Sequence, residues 1–169
     1  MTFLKIFAVV VFTFGSINLG LSQLSEGWFG SYSGTLVITN FKGEQSEIYM
    51  ELLIERNTDS SYTFNIIYGE DTTRQIRKYE LFHENDNQYK LDEKNGIVLP
   101  MMLFNKRLIS VFEVQGNLLQ VSYALDKKNI IFRTTVSRES MESGGEGDIP
   151  LVQGFTPTVD QYATLKRKK

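Results

Sequence analysis

Alternation of apolar and polar residues dominates the middle of the chain. It is clearest in residues 47–55, where Ile48, Met50, Leu52 and Ile54 alternate with a second set that includes three glutamates. A period of two residues is typical of a strand with one buried and one exposed face. Comparable stretches lie at residues 62–68, 74–84, 88–92, 97–104, 108–115, 118–126 and 129–137. With a first strand in residues 28–38, the pattern predicts about nine strands.

Short turns separate these stretches. Asn85-Asp86-Asn87, Asn95-Gly96 and Gly116-Asn117 are residues that tolerate turn and left-handed backbone geometry. Strands joined in sequence by short turns form an antiparallel meander. We therefore predict an all-β fold in which nine to ten strands close into a small up-and-down barrel, because closure removes exposed edges. A two-sheet sandwich is the alternative.

The first predicted strand begins in Glu26-Gly27-Trp28-Phe29-Gly30-Ser31-Tyr32-Ser33-Gly34, which holds the only tryptophan. Glycines inside a strand permit strong coiling and close backbone approach at a barrel corner. We expect the strand to bend there and Trp28 to plug one end of the barrel. The alternative is a flexible lead-in, with the strand starting only at Thr35.

Residues 97–125 are apolar on both faces of their predicted strands, which indicates burial on both sides. Pro100 cannot donate a backbone hydrogen bond and marks an edge or a bulge. Residues 138–147 form a polar, glycine-rich linker, and residues 148–169 form an extension. Thr156 and Pro157 suit the start of a short terminal helix. We expect the extension to cover strands 97–125, with a disordered tail or a homodimer or protein partner at those strands as alternatives.

The chain starts like an export signal. Lys5 precedes an apolar run at residues 6–14, and small residues at Gly20 and Ser22 favour cleavage after Ser22. The run is shorter than the roughly 20 residues of a spanning helix. We therefore predict a signal peptide at residues 1–22, a barrel domain at 23–137 and a periplasmic or secreted protein. An uncleaved anchor is the alternative.

The mature chain has 169 − 22 = 147 residues, enough for one domain with its own core. Loss of Lys5 leaves 17 basic and 20 acidic residues, a net charge of −3. This net charge favours neither nucleic acid nor an anionic membrane as partner. The chain has no cysteine, so we expect neither disulfides nor a lipid anchor.

Residues capable of catalysis or metal binding are few. His83, the single histidine, lies at a strand end beside a turn, where a solvated role is usual. The acidic segments 84–87 and 92–96 lack the spacing of a calcium loop and suit hairpin turns. No glycine-rich phosphate loop precedes a helix. We expect no metal, no cofactor and no catalytic residues.

Polar side chains on apolar strands are the candidates for ligand contact. Arg77 and Tyr79 share a face with Leu81, and Glu113 sits between Phe112 and Val114. An arginine and a tyrosine inside a barrel would orient the carboxylate or carbonyl head of an apolar ligand. Alternation equally permits these residues to face water. The expected ligand-binding residues also include four aromatic ones: Trp28, Tyr32, Tyr62 and Phe64.

The opening segment 27–34, followed by a nine- or ten-strand meander, resembles the lipocalin-like and calycin barrels. The lack of a long helix makes the chain most similar to the nitrobindin-like and fatty-acid-binding-like branch. Residues 92–99 and 112–119 are similar to exported bacterial lipocalin-like proteins. True lipocalins separate the opening glycine from the tryptophan by one residue, whereas Gly27 and Trp28 are adjacent here. Nitrobindins hold haem through a histidine, and His83 lies at a turn, so the resemblance implies the barrel and not the haem.

Three functions are consistent with this pattern. The first is a non-enzymatic barrel that binds a small apolar ligand. The second is a periplasmic or secreted structural protein with a filled barrel, which binds a partner through strands 97–125. The third is an isomerase or hydrolase that uses Arg77, Tyr79 and Glu113 for acid–base chemistry.

Overall fold

The computed structural model describes residues 23–169, and the predicted signal peptide at residues 1–22 lies outside the described residues. Within this range the fold is all-β, with two short 3-10 turns at Glu26–Trp28 and Asp71–Thr73. Its ten strands are β1 (Gly30–Asn40), β2 (Gln45–Arg56), β3 (Ser61–Tyr68), β4 (Gln75–Asn85), β5 (Gln88–Asp92), β6 (Val98–Phe104), β7 (Arg107–Val114), β8 (Asn117–Asp126), β9 (Asn129–Ser143) and β10 (Val152–Arg167).

The strands form one closed antiparallel barrel. Each strand pairs with the next along the chain, and β10 pairs with both β9 and β1. The predicted barrel meander is confirmed, and the sandwich alternative is excluded. Closure pairs each strand with two neighbours, so the barrel has no free edge strand to protect from aggregation.

The terminal helix prediction was wrong, because the C-terminal segment supplies the tenth strand. Its register places Tyr162 opposite Arg133 and Ala163 opposite Phe132. Ala163 and Leu165 are buried at 1% and 0% exposure, as the inward residues of a strand with a period of two. A helix at residues 156–169 would leave β1 and β9 unpaired at the closing seam. Pairing with both strands outweighs the local helix-start pattern at Thr156 and Pro157.

The predicted linker and cover also differ from the structure. Residues 138–143 of the expected linker continue β9, and β10 lies between β1 and β9 rather than over β6 and β7. Residues 139–143 pair only with β10, beyond the start of β8. Residues 152–158 pair only with β9, beyond the end of β1. This two-stranded projection, the arm, comprises residues 139–158.

The two ends of the barrel differ. At the closed end, the segment before β1 folds across the opening and buries Leu24 and Trp28, each 1% exposed. The hydroxyl of Tyr32 donates to the carbonyl oxygens of Gly27 (2.9 Å) and Trp28 (3.0 Å), which fixes this segment. Trp28 thus plugs the barrel, as expected, although it belongs to a 3-10 turn rather than to the first strand. The opposite end, where β1 ends and β10 begins, is the open end.

The opening glycines permit close contacts with β10. A Cβ atom on Gly34 would lie 2.5 Å from the carbonyl oxygen of Thr164. Gly30 has a φ of +143°, which other residues rarely adopt, and lies beside the Arg167 guanidinium. Arg167 in turn donates a hydrogen bond to the carbonyl oxygen of Phe29. The close approach predicted for this strand is confirmed.

Aromatic side chains fill the half of the barrel nearest the closed end. The rings of Phe29 and Tyr62 stack with centroids 5.8 Å apart, and Phe64 meets Tyr123 edge-on at 5.0 Å. Tyr32, Tyr62 and Phe64 are all 0% exposed. Side chains therefore pack the interior of this half.

The seam between β6 and β7 is short. Only Met102, Leu103 and Phe104 pair with β7, and above them the hydroxyl of Ser110 donates to the carbonyl oxygen of Pro100 at 2.7 Å. Pro100 has no N–H and lies where the pairing ends, which agrees with its predicted edge position. The outer side chains of Val98, Phe104 and Val111 are 51–52% exposed, so nothing among residues 23–169 covers this face. No helix of the described chain is long and apolar enough to cross a membrane.

Candidate ligand-binding site

A cavity of about 370 Å³ occupies the half of the barrel nearest the open end. This volume lies within the range of small-molecule sites, roughly 300–1,000 Å³. Aliphatic and aromatic side chains from strands around the whole barrel form most of its wall: Leu36, Ile38, Ile48, Ile66, Leu99, Phe112, Leu119, Val121 and Phe132. The cavity therefore favours an apolar ligand body.

Polar side chains converge on one side of the cavity. Arg77 and Tyr79 reach it from β4, because Ile76 and Lys78 alternate with them. The guanidinium of Arg77 lies 5.2 Å from the ring centre of Tyr68, within cation–π distance. Glu93 comes from the turn after β5. A cation, a carboxylate and two phenols thus share one wall.

Contacts within this wall set the pKa values of Arg77 and Tyr79. Partial burial lowers the pKa of Arg77, but the hydrogen bond to Tyr79 and the nearby Tyr68 and Glu93 outweigh it and raise the pKa above its usual value. Burial raises the pKa of the Tyr79 hydroxyl, although its hydrogen bond with Arg77 opposes the shift. At neutral pH, Arg77 is therefore a cation and Tyr79 a neutral hydroxyl.

Tyr68 from β3 and Tyr123 from β8 also line the cavity. Burial raises the pKa of Tyr68, and it raises that of Tyr123 well above its usual value. Both hydroxyls stay protonated at neutral pH and can donate hydrogen bonds into the cavity. The cavity thus has a mostly apolar wall, with neutral hydrogen-bond donors near one cationic side chain.

The structure separates the predicted site residues into three groups. Arg77 and Tyr79 line the cavity together. The four predicted aromatic residues belong instead to the packed closed half and do not line the cavity: Trp28, Tyr32, Tyr62 and Phe64. Glu113 is exposed on the outer face of β7, because its neighbour Phe112 points inward.

Several cavity residues escaped sequence reasoning. Tyr68 shares the period-two face of Phe64 and Ile66, so alternation along β3 could have identified it. Gln161 was assigned to a helix and therefore had no predicted inward face. Glu93 lies in a turn, and no local pattern shows that this turn reaches the cavity.

No group of three or more histidine, cysteine, aspartate or glutamate side chains lies close enough to hold an ion in residues 23–169. His83 lies away from the cavity, with Nε2 2.9 Å from the carbonyl oxygen of Asp86 and its ring 4.9 Å from that of Tyr89. Its partners are thus a turn carbonyl and a core aromatic ring.

Comparison with known proteins identifies the fold through structure alone. No protein-family model and no curated protein sequence matches the chain. An S-type phycobiliprotein lyase, CPES, from Guillardia theta superposes with a TM-score of 0.59 at 10% identity, over 85% of this chain and 90% of that one. The protein Rv2717c from M. tuberculosis superposes with a TM-score of 0.54 at 11% identity, over 85% and 94% of the two chains.

The chain has the calycin-type barrel fold. In this calycin-type barrel, the ten-strand meander and the plugged closed end account for the position of the cavity. The chemistry of the site rests on the wall residues themselves.

Proposed function

We propose that this protein is an exported, non-enzymatic barrel that binds one small apolar ligand in the cavity at its open end. The observation that carries the proposal is the cavity of about 370 Å³, which the side chains of the open half leave unfilled. A structural protein with a filled barrel would have no such space.

The wall chemistry supports a ligand with a polar or anionic head. Arg77 supplies the only cationic side chain of the cavity wall, as far as the described residues show, and Tyr79 supplies a neutral donor beside it. A carboxylate or carbonyl oxygen there would accept hydrogen bonds from both. Glu93 would disfavour a second negative charge nearby. The expected ligand thus carries one acidic or carbonyl head on an apolar body.

The structural neighbours are compatible with this proposal. One of them is an S-type phycobiliprotein lyase with a barrel of the same fold. At 10% identity the likeness extends to the fold alone. The likeness is compatible with ligand binding inside the barrel. The class of ligand is inferred from the wall residues alone.

The test is a titration of the mature protein with 1-anilinonaphthalene-8-sulfonate, an apolar probe with an anionic head. Val121→Trp fills the cavity and should abolish saturable binding. Arg77→Gln removes a charge-assisted hydrogen bond and should weaken binding by about tenfold, the equivalent of about 1.4 kcal/mol. Glu113→Gln changes an exposed carboxylate outside the cavity and serves as the control.

Two results would contradict the proposal. Unchanged probe affinity in Val121→Trp would place the probe elsewhere on the surface. A loss of affinity in Glu113→Gln equal to that in Arg77→Gln would point to a general loss of folded structure, because removal of an exposed carboxylate does not by itself weaken the binding of an anionic probe. If the titration supports the proposal, native mass spectrometry of protein from its export fraction would identify a natural ligand as an extra mass that denaturation releases.

A second function, partner binding through β6 and β7, is supported by the uncovered apolar face. Val98, Phe104 and Val111 are each about half exposed there, and β10 does not cover them. Contiguous apolar surface of this kind is typical of protein interfaces.

Sedimentation velocity tests a homodimer at this face. If the wild type is dimeric, Val98→Lys with Val111→Lys should yield a monomer. The matched control is Ile76→Lys with Tyr162→Lys, since these side chains are 49% and 45% exposed elsewhere on the barrel. A wild type that stays monomeric at high concentration would exclude the homodimer.

A further inference from the structure

Positive charge is concentrated on one side of the closed end, which is formed by the β6–β7 turn, the β8–β9 turn and the end of β10, whereas acidic residues lie at the β2–β3 and β4–β5 turns. Seven lysine and arginine side chains there are exposed and form no salt bridge within residues 23–169: Lys106, Arg107, Lys127, Lys128, Lys166, Arg167 and Lys169. We call these seven residues the basic arc. Lys168 lies between two of them but is paired with Glu51, with Nζ 2.6 Å from the carboxylate.

The barrel register makes the arc continuous. The backbone N–H of Leu125 donates to the carbonyl oxygen of Lys106 at 2.9 Å, which joins the β8–β9 turn to the β6–β7 turn. Leu165 pairs with Ile130, which brings the end of β10 alongside the same β8–β9 turn. Three segments far apart in sequence therefore form one edge of the closed end. Asp126 is the one acidic residue on these segments.

The opposite end carries negative charge. The arm holds four carboxylates, those of Glu139, Glu142, Glu146 and Asp148, and no basic residue. The net charge of −3 thus conceals a separation of charge along the barrel axis. Such a distribution orients a molecule on a charged surface, even when the molecule as a whole has the same sign as that surface.

We propose that the basic arc docks this protein on an anionic phospholipid bilayer, with the cavity mouth facing away from the lipid. Lysine and arginine side chains near an anionic bilayer each contribute attraction that falls off within a Debye length. Phe104, 51% exposed beside the arc, supplies an aromatic side chain suited to the interface. This proposal does not depend on the ligand-binding function.

The start of the described chain lies beside the basic arc. Gln23, the first described residue, lines the same shallow pocket as Phe104 and Lys106. The predicted signal peptide, residues 1–22, immediately precedes Gln23 in the sequence, and Gln23 lies at the end that carries the arc.

The open end is the weaker candidate for lipid contact. It exposes apolar side chains, including Phe41 at 74% and Ile149 at 61%. An anionic surface would repel the carboxylates of the open end, whereas it would attract the basic arc at the closed end. The two orientations are distinguishable by labelling.

The first experiment is co-sedimentation of the mature protein with vesicles of phosphatidylcholine containing 40% phosphatidylglycerol. We expect binding at low salt, none at 0.5 M NaCl and none to pure phosphatidylcholine. Lys106→Glu with Lys127→Glu and Lys128→Glu should reduce the partition coefficient by at least about tenfold. The matched control reverses three charges towards the open end: Lys42→Glu with Lys78→Glu and Arg138→Glu. It should retain most of the binding, although its net charge is the same.

Equal loss in both variants would overturn the proposal, because net charge and not the arc would then control binding. Absence of binding by the folded wild type would overturn it as well. Pelleting without vesicles would assign the behaviour to self-association, with the acidic arm of one copy on the arc of another, and would also count against the bilayer.

Orientation is tested separately, because the chain has no cysteine of its own. An environment-sensitive fluorophore on Phe104→Cys should shift to the blue on anionic vesicles, whereas the same label on Phe41→Cys should not. A shift confined to residue 41 would place the open end on the bilayer and overturn the proposed orientation.

Discussion

Arg77 and Glu113 show how much depends on the direction of a single side chain. Both are charged residues within largely apolar strands, and both were expected at the ligand. Arg77 enters the cavity, where Tyr68 and Tyr79 hold its charge, whereas Glu113 faces solvent one position beyond the inward Phe112. Alternation fixes which residues share a face, but packing decides which face is inside.

Gly34 offers a prediction at the same scale. Gly34→Ala should destabilise the protein by about 2 kcal/mol, because its Cβ would meet the carbonyl oxygen of Thr164 at 2.5 Å. Urea unfolding measures the change. Gly43→Ala places a Cβ in open space at a φ of +81° and therefore reports the cost of backbone geometry, which Gly34→Ala does not carry. An unchanged urea midpoint in Gly34→Ala would show that β1 and β10 separate easily at this contact.

At the scale of elements, β10 determines whether the barrel exists. It is the only strand that contacts both the beginning and the end of the meander among the described residues, through β1 and β9. Its first part, in the arm, has one partner strand, and its last part has two. An isolated two-stranded ribbon is marginally stable in water, so the two parts should differ in their contribution to folding.

Deletion of residues 152–169 should prevent folding, because β1 and β9 would both become unpaired edges around an opened core. The readout is loss of chemical-shift dispersion in an NMR spectrum of residues 23–151. The matched control replaces residues 140–154 by Asn-Gly, which joins Glu139 to its partner Phe155 in a two-residue hairpin. That variant should fold. Dispersed signals in the first variant would mean that nine strands suffice.

For the whole molecule, buried tyrosines set the response to alkaline pH. Burial raises the pKa of six tyrosines above the ordinary value of 10.0: Tyr32, Tyr62, Tyr68, Tyr79, Tyr89 and Tyr123. The folded state therefore holds these protons more tightly than the unfolded state. The stability that they contribute is complete below pH 10 and is lost as the pH rises above it towards the folded-state values.

We therefore expect the urea midpoint to fall steeply above about pH 10, with tyrosinate absorbance appearing together with unfolding. Tyr123→Phe removes the most buried of these hydroxyls, so the urea midpoint of this variant should fall less between pH 7 and pH 11 than that of the wild type. The urea midpoint at pH 7 serves as the reference for each protein. Full tyrosinate absorbance in a protein that is still folded at pH 11 would contradict this prediction.

Charge is the property that differs most between the chain and the folded molecule. The net charge of −3 in residues 23–169 gave no reason to expect an anionic surface as partner. Folding brings Lys106, Lys127 and Lys166 to one end and the carboxylates of residues 139–148 to the other. A sum over the sequence loses this separation, because segments distant in sequence meet only through strand pairing.

The sequence by itself determined the strands and turns of residues 45–137. Their alternation and turn residues are local properties, so the predicted bounds of β4, β5 and β8 lie within one residue of the structure. It also determined the need for a close approach at Gly34. These features depend on neighbours within a few residues along the chain.

Only the tertiary structure decided the tenth strand, the unfilled half of the barrel and the basic arc. Thr156 and Pro157 favour a helix start locally, but strand pairing of this segment with β1 and β9 is more favourable. No local pattern encodes the positions of those two strands. Trp28, Tyr62 and Phe64 fill one end because the preceding segment folds over it, and this leaves the cavity to Arg77 and Tyr79. The physical reason is the same in each case: non-local contacts carry the free energy that decides between locally permitted structures.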